Sequence, residues 1–170
     1  MKSLRITLAA LFVSALCLVG GYAQAGAFTD YAENKIADAV LRGQSLGAPA
    51  TMYIGLATDT CTDSGAGTEP SGNAYARVAV TSSLANWAGT QSAGSTAASS
   101  GTGGTTSNNG AITWTPSSGA WGNLQSVRWY DAASAGNSWI CINLASALNV
   151  SGSGFTVSFS AGQLSFQVDN

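Results

Sequence analysis

The segment Trp139-Ile140-Cys141-Ile142-Asn143-Leu144 alternates aliphatic residues with residues of other kinds. Successive side chains of a β-strand point to opposite faces of a sheet, so this period of two predicts a strand that buries one face. The same alternation recurs at 52–57, 75–80, 155–159 and 164–168, with weaker candidates at 112–115 and 124–131. Short strands separated by Gly-rich and Asn-rich turns predict a mainly β protein, an antiparallel β-sandwich of jelly-roll type.

One segment has a helical period instead. Residues 28–42 carry four apolar side chains at spacings that place them on one stripe of a helix: Tyr31, Ile36, Val40 and Leu41. Thr29 or Asp30 is the expected N-cap, and Gly43 is the expected stop. This single amphipathic N-terminal helix either packs its stripe on the domain or docks on a partner.

Two connections stand out by composition. The turn Ser160-Ala161-Gly162-Gln163 is expected to join the last two strands into a hairpin. Residues 88–110 are almost entirely Gly, Ser, Thr, Ala, Asn and Gln. Such small, polar side chains bury little apolar area, so the segment is predicted to be a long flexible loop.

Residues 1–25 have the layout of a secretory signal peptide. Lys2 and Arg5 precede an apolar run from Ile6 to Val19, and small residues precede a cut after Ala25. The run is shorter than the roughly 20 apolar residues that cross a bilayer, so no stable transmembrane anchor is expected. Cleavage would leave one domain, residues 26–170; the alternative is an uncleaved arm, membrane-associated or buried.

Charge excludes one class of partner. The residues after Ala25 carry four basic and eight acidic side chains, a formal charge of −4. Nucleic acid is therefore not an expected partner, because binding phosphates without clustered Lys and Arg forfeits the gain from counterion release. Solubility must come from hydroxyl and amide groups, as suits a secreted or assembled structural protein.

The sequence offers few residues that could carry out catalysis. The chain has no histidine, so the common Ser-His and Cys-His nucleophile pairs are impossible. The carboxylates Asp59, Asp63, Glu69 and Asp131 could supply a calcium site or an acid/base pair, but the turn-rich segment from Asp59 to Glu69 favours local backbone hydrogen bonding. We predict no enzymatic activity, no metal site and no cofactor.

The cysteines and aromatic residues leave alternatives open. Cys61 and Cys141 either form a disulfide in an oxidising compartment or pack as two thiols. Tyr31, Trp129 and Trp139 are candidate surface or interface contacts, either between subunits or with a glycan. Trp129 and Trp139 are expected on the strand faces opposite the aliphatic residues.

Three segments together carry a resemblance. They are FTDYAENK at 28–35, GTEPSGNAYARV at 67–78, and WGNL at 121–124 followed by WYDAA at 129–133. In this order and spacing they resemble a family of small tailed-phage structural proteins, labelled phage tail fibre or virion structural protein. The match runs from Phe28 to the closing hairpin at 164–169. It implies a non-enzymatic virion component that binds neighbouring copies, the particle or a host surface.

In the segments that carry this resemblance, five residues are expected to form a structural motif: Glu69, Tyr75, Arg77, Trp121 and Asp131. Arg77 is expected to form a charge-assisted hydrogen bond with a carboxylate such as Glu69 or Asp131.

The leading expectation is thus a structural or attachment protein of a phage-type virion, a tail fibre or capsid-decorating component that forms homo-oligomers or binds other virion subunits. The alternative is a secreted bacterial surface or filament subunit, or an adhesin that binds host glycans. The resembled family begins almost directly at the helix, so the presequence favours the secreted alternative. The expected location is accordingly either the virion or the outside of the cell.

Overall fold

A computed structural model describes residues 16–18 and 27–168 of the 170-residue chain. The signal-like segment 1–25 therefore lies outside the described residues, apart from 16–18. The described residues form one helix, α1 (Asp30–Leu41), and ten strands: β1 (Leu16–Leu18), β2 (Ala27–Phe28), β3 (Thr51–Ala57), β4 (Val78–Thr81), β5 (Thr105–Ser107), β6 (Ile112–Thr113), β7 (Gly122–Tyr130), β8 (Ser138–Val150), β9 (Thr156–Phe159) and β10 (Ser165–Gln167).

The larger layer is a five-stranded antiparallel sheet with the order β2-β8-β7-β3-β4. Its centre is the long hairpin of β7 and β8, the two longest strands of the sheet. The remaining strands form two small sheets, β1-β9-β6 and β10-β5. Pairing is antiparallel throughout except between β1 and β9. The predicted class, mainly β with antiparallel sheets and one N-terminal helix, is confirmed.

Register places the apolar residues of the large sheet on one face. Phe28, Ile140, Trp129 and Ile54 lie side by side across β2, β8, β7 and β3. This face forms one hydrophobic core with side chains from the small sheets and their connections, including Trp114, Val157, Phe159, Leu164 and Phe166. Trp129 therefore lies on the aliphatic face, and the prediction that it faces the other way is wrong.

Helix α1 begins and ends close to the predicted residues. The Thr29 side chain accepts a long 3.5 Å hydrogen bond from the Ala32 N–H and so caps the first turn. Gly43 ends the helix with a φ of +68°, a conformation that glycine adopts without steric cost. The predicted apolar stripe is only partly buried, since Val40 and Leu41 are exposed. The start of the helix is fixed to the sheet, where the Thr29 backbone N–H donates to the Trp139 carbonyl at 3.1 Å.

The last two strands do not form the expected hairpin. β9 pairs with β6 and β1, whereas β10 pairs with β5. The buried side chain of Asn108 explains this separation, because it occupies the turn between the two strands. Its amide donates to the carbonyls of Ser160 and Gly110 at 2.9 and 2.7 Å, and its Oδ1 accepts from the Leu164 N–H at 2.9 Å.

The predicted loop 88–110 contains β5, which the alternation did not reveal. Backbone hydrogen bonds close the segment, from the Ala88 N–H to the Ser107 carbonyl at 2.8 Å and from the Gly89 N–H to the Ser95 carbonyl at 3.2 Å. The Thr106 hydroxyl also donates to the Ala88 carbonyl at 2.7 Å. The rest of the segment has no strand or helix. Its flexibility stays a prediction.

Replacing Asn108 by Ala should lower the free energy of unfolding by about 3 kcal/mol, because it leaves three hydrogen-bonding groups near the core without their partner. Urea denaturation measures the change. Asn123→Ala is the matched control, since Asn123 is exposed on β7 and its loss should cost less than about 0.5 kcal/mol. Equal stability of the two variants would contradict the role assigned to Asn108.

Candidate functional site

The second face of the large sheet is polar and is covered by an irregular segment, residues 58–77, which we call the cover segment. Along β7, Ser126, Arg128 and Tyr130 point toward it, since residues two apart on a strand share a face. The Ser126 hydroxyl donates to the Asp59 carbonyl at 2.8 Å. The Tyr130 hydroxyl donates to the Ala66 carbonyl at 2.6 Å. Side-chain donors of one strand thus bind the backbone of the cover segment.

Arg128 is the charged member of these three donors, and its side chain is fully buried. Its Nη1 donates to the Gly65 carbonyl at 2.7 Å and its Nη2 to the Thr60 carbonyl at 3.3 Å, with the Asp59 carboxylate 4.0 Å away. Gly67 lies directly against the guanidinium, and a Cβ there would come within 2.3 Å of Arg128 Nε. This role was not predicted; its signal in the sequence was a lone basic residue within a predicted strand.

A disulfide also holds the cover segment. Cys61 is bonded to Cys141 on β8, with their Cα atoms 5.7 Å apart and a sequence separation of 80. The Cys61 backbone N–H donates to Asn143 Oδ1 at 2.7 Å, which fixes the same stretch beside β8. A crosslink that closes so long a loop stabilises the fold mainly by restricting the unfolded chain.

The predicted motif residues Glu69, Tyr75 and Arg77 meet above β3. Arg77 Nη2 lies 2.5 Å from Glu69 Oε2, and Arg77 Nε lies 2.9 Å from the same oxygen. The Tyr75 hydroxyl donates to Glu69 Oε1 at 2.6 Å and accepts from the Leu56 N–H at 2.8 Å. Burial raises the pKa of Tyr75 well above its usual range, and the hydrogen bond to Glu69 raises it further. The phenol therefore keeps its proton and remains a donor.

Arg77 also reaches the turn between β7 and β8. Its guanidinium lies 3.3 Å from the centre of the Tyr130 ring, a cation–π contact. Its Nη1 donates to the carbonyls of Ala132 and Ala135 at 2.6 and 2.8 Å. Burial raises the pKa of Tyr130 to about 12, and the negative charge of Glu69 adds to this. The Tyr130 hydroxyl therefore stays protonated at neutral pH.

The other two motif residues lie on either side of this cluster. Asp131 does not bind Arg77; it accepts from the backbone and side chain of Asn137 at 2.7 and 2.9 Å and from the Trp139 indole at 3.4 Å. Burial alone would raise the pKa of Asp131, but these hydrogen bonds outweigh it and the pKa is lowered. Trp121 donates to the Asn73 carbonyl at 2.9 Å and packs edge-on against Tyr75.

Gly55 on β3 makes room for the cluster. A Cβ at this position would lie 2.5 Å from Glu69 Oε1 and 2.8 Å from a ring carbon of Tyr130. Glycine weakens a strand interior, and close approach of another group is a common reason for its presence. Here the groups that approach are the carboxylate and the ring.

Two of the three candidate surface residues are buried. Trp129 is 3% exposed within the core, and Trp139 is 5% exposed, held by Asp131 and by the ring of Tyr31 at a centroid distance of 5.4 Å. Neither tryptophan is available to a partner of the folded chain, so the prediction of a surface role for them is wrong. The reason is that both sheet faces are covered. Tyr31 is half-buried.

In the described residues, an exposed apolar surface lies instead at the end of α1. Val40, Leu41 and Val168 are 74%, 82% and 63% exposed, and they line a shallow groove together with Phe28 and Ile36. We call these five residues the α1 patch. Contiguous exposed apolar groups of this kind typically mark an interaction site.

Three of the four carboxylates considered for catalysis have structural partners. Asp59 accepts two hydrogen bonds from Thr68, and Glu69 and Asp131 are engaged as described above. Within residues 16–18 and 27–168, no group of three or more His, Cys, Asp or Glu side chains could hold a metal ion. In the same described part, no helix is long and apolar enough to cross a membrane.

Arg77→Ala should lower the free energy of unfolding by about 3 kcal/mol, because it leaves the part-buried Glu69 carboxylate without its counter-ion. The exposed pair of Arg42 and Asp38 gives a control with the same substitution. Arg42→Ala should cost less than about 0.5 kcal/mol. Chemical denaturation measures the free energy of unfolding of both variants. Similar losses of stability in the two would contradict a special role for Arg77.

Gly55→Ala should destabilise the fold by about 2 kcal/mol, because the added methyl group must displace Glu69 or Tyr130. Gly110→Ala is the matched control, since nothing lies within 4 Å of a Cβ there. Thermal unfolding followed by circular dichroism compares the two. A neutral Gly55→Ala variant would mean that the cluster tolerates displacement.

Comparison with known protein families covers most of the described residues. The family model described as Podophage GP4 fiber I protein gp80 matches residues 27–167. The match begins at β2, ends at the last residue of β10, and includes α1, the cover segment and the β7–β8 hairpin. No curated protein matches the chain. On the strength of the family match, the chain belongs to the family of the podophage GP4 fiber I protein gp80.

Proposed function

We propose that this phage fibre protein is a non-enzymatic subunit that binds another protein subunit of the virion through the α1 patch. Membership of the fibre family makes it a phage structural protein. The observation that carries the proposed contact is the exposure of Val40, Leu41 and Val168 beside one another. Exposed aliphatic groups stay in contact with water at a free-energy cost, which a protein partner would remove.

A protein partner is favoured over a host glycan by the chemistry of the patch. Sugar rings stack on exposed aromatic faces. The exposed members of the α1 patch are aliphatic, and its aromatic member, Phe28, packs on Phe166 at a ring distance of 4.8 Å. Trp129 and Trp139, the aromatic residues expected to contact a glycan, are buried.

A non-enzymatic role is supported by the state of the carboxylates. Glu69 is neutralised by Arg77, and Asp131 is committed to the β7–β8 turn. Catalytic acids and bases need access to a substrate proton. Carboxylates that are bound within the fold in this way are poorly placed to exchange a proton with a substrate.

One observation favours the secreted alternative, a bacterial surface or filament subunit. The bond between Cys61 and Cys141 suits an oxidising compartment, whereas cytosolic disulfides are rare. Mass spectrometry of the native N-terminus separates the alternatives: a chain that begins at Gly26 supports export, and a chain that begins at Met1 supports the virion subunit.

The double variant Val40→Ser, Leu41→Ser tests the contact. Complementation of a phage that lacks the gene, followed by quantitative mass spectrometry of purified particles, counts the copies incorporated. We expect at least a tenfold fall, because the contact loses two aliphatic side chains, each worth on the order of 2 kcal/mol when buried.

Leu84→Ser is the matched control, because Leu84 is 54% exposed but lies outside the patch. It should be incorporated at the wild-type level. All three positions are exposed, so the variants should unfold at wild-type temperatures, which separates a lost contact from a lost fold. Wild-type incorporation of the double variant would contradict the proposal.

A further inference from the structure

One outer edge of the large sheet is β4, which pairs with β3 on one side and, among the described residues, with no strand on the other. The Ser82 N–H donates to the Ala50 carbonyl at 2.9 Å, so hydrogen-bonded pairs of this antiparallel ladder fall at every second residue counted from Ser82. The backbone N–H and C=O groups of Ala79 and Thr81 therefore face outward. In agreement, the Asn86 amide donates to the Thr81 carbonyl from the outer side at 3.0 Å.

The neighbouring edge of a small sheet presents backbone groups of the same kind. β6 pairs with β9, and directly after β6 the Trp114 N–H donates to the Val157 carbonyl at 3.0 Å. By the same alternation, the N–H and C=O of Ala111 face away from β9. In the described part of the chain, the outward N–H groups of Ala79, Thr81 and Ala111 have no hydrogen-bond partner.

A groove of about 260 Å³ lies between these two edges. One wall is β4, and the other is formed by Gly110, Ala111 and Ile112, with the amide side chains of Asn86 and Asn108 also lining the space. All of the lining residues are uncharged. The groove therefore combines free backbone donors and acceptors with a neutral surface.

Strand β4 lacks the features that usually prevent exposed strand edges from pairing. Natural proteins protect such edges with charged side chains, proline or a bulge. β4 is Val-Ala-Val-Thr, and its register with β3 is regular. The charged residue before it, Arg77, is directed instead to Glu69 and to the turn between β7 and β8. This edge is therefore a suitable template for another extended chain.

We propose that the groove binds an extended segment of a neighbouring virion protein, which adds to β4 as a further strand of the large sheet. The backbone of this segment bonds to Ala79 and Thr81. Every second side chain rests on Val78, Val80 and Ile112, which belong to the hydrophobic core or pack against it. The partner segment is accordingly uncharged, with apolar residues at every second position.

The two walls favour a single extended chain over a second folded copy. A lone strand fits between β4 and the segment 110–112, whereas the edge of a second folded domain would meet the wall opposite β4. The inference rests on the proposed role as a virion subunit, but it uses no residue of the α1 patch. The two contacts can therefore fail independently of each other.

Hydrogen–deuterium exchange tests the pairing in the free full-length protein and in purified particles. Mass spectrometry with fragmentation of the β4 peptide measures exchange at single amides. In the free protein, the amides of Ala79 and Thr81 should exchange at least tenfold faster than those of Val78 and Val80, which face β3. In the particle, the amides of Ala79 and Thr81 should exchange at least tenfold more slowly than in the free protein.

Ala79→Pro supplies a second test, because proline removes the outward N–H and leaves the neighbouring bonds to β3 in place. The number of copies in particles, counted after complementation, should fall at least tenfold. Ala79→Ser is the matched control, since it keeps the N–H at the same exposed position, and it should be incorporated at the wild-type level. Thermal unfolding of both variants separates a lost contact from a lost fold. The exchange measurement uses the wild-type chain and does not depend on the folding of either variant.

Three results would overturn the inference. The first is slow exchange at Ala79 and Thr81 in the free protein: in a monomer it would mean that the chain fills its own groove, and in a dimer that a second copy does. The second is unchanged, fast exchange at these amides in the particle. The third is a folded Ala79→Pro variant that is incorporated at the wild-type level.

Failures of the two proposals give different results. Wild-type incorporation of the Val40→Ser, Leu41→Ser variant would contradict the contact at the α1 patch and leave the exchange of β4 in the particle unchanged. Fast exchange of β4 in the particle would contradict strand addition alone. Absence of the protein from wild-type particles would overturn both.

Discussion

The fold depends on a buried guanidinium that holds an irregular segment against a sheet. The cover segment is rich in Gly, Ser and Thr and has little apolar surface with which to pack. Its backbone carbonyls are satisfied instead by donors from one face of β7, with Arg128 at the centre. A buried cation without such acceptors would be strongly destabilising, so the guanidinium and the segment fix each other's positions.

The two faces of the large sheet are thus stabilised by different kinds of interaction. One face buries aliphatic and aromatic side chains in a hydrophobic core with the small sheets. The other face holds hydrogen bonds, the ion pair of Arg77 with Glu69 and the disulfide at Cys61. Hydrogen bonds and ion pairs require particular geometry, which explains why Gly55 and Gly67 stand where a side chain would collide with the cluster or with Arg128.

The covering of both sheet faces limits which side chains a partner could contact. Once both faces are covered, the large aromatic residues of the sheet are not available to partners. One accessible surface of the described residues is the aliphatic patch at the end of α1, which we propose as the contact with a protein partner. Such a contact is in keeping with a structural member of a phage fibre family.

The sequence by itself determined the helix and most of the longer strands, and it limited the expected partner of Arg77 to carboxylates such as Glu69 or Asp131. A period of two predicts a strand from local chain geometry, and Thr29 and Gly43 mark the ends of a helix through their own backbone preferences. Strand partners and the burial of polar groups were decided only by the tertiary structure. Alternation shows which residues share a face but not which strand lies alongside, so the turn filled by Asn108 looked like a hairpin. Arg128 likewise looked like an ordinary strand residue, because the carbonyls that it binds come from a segment some 60 residues away.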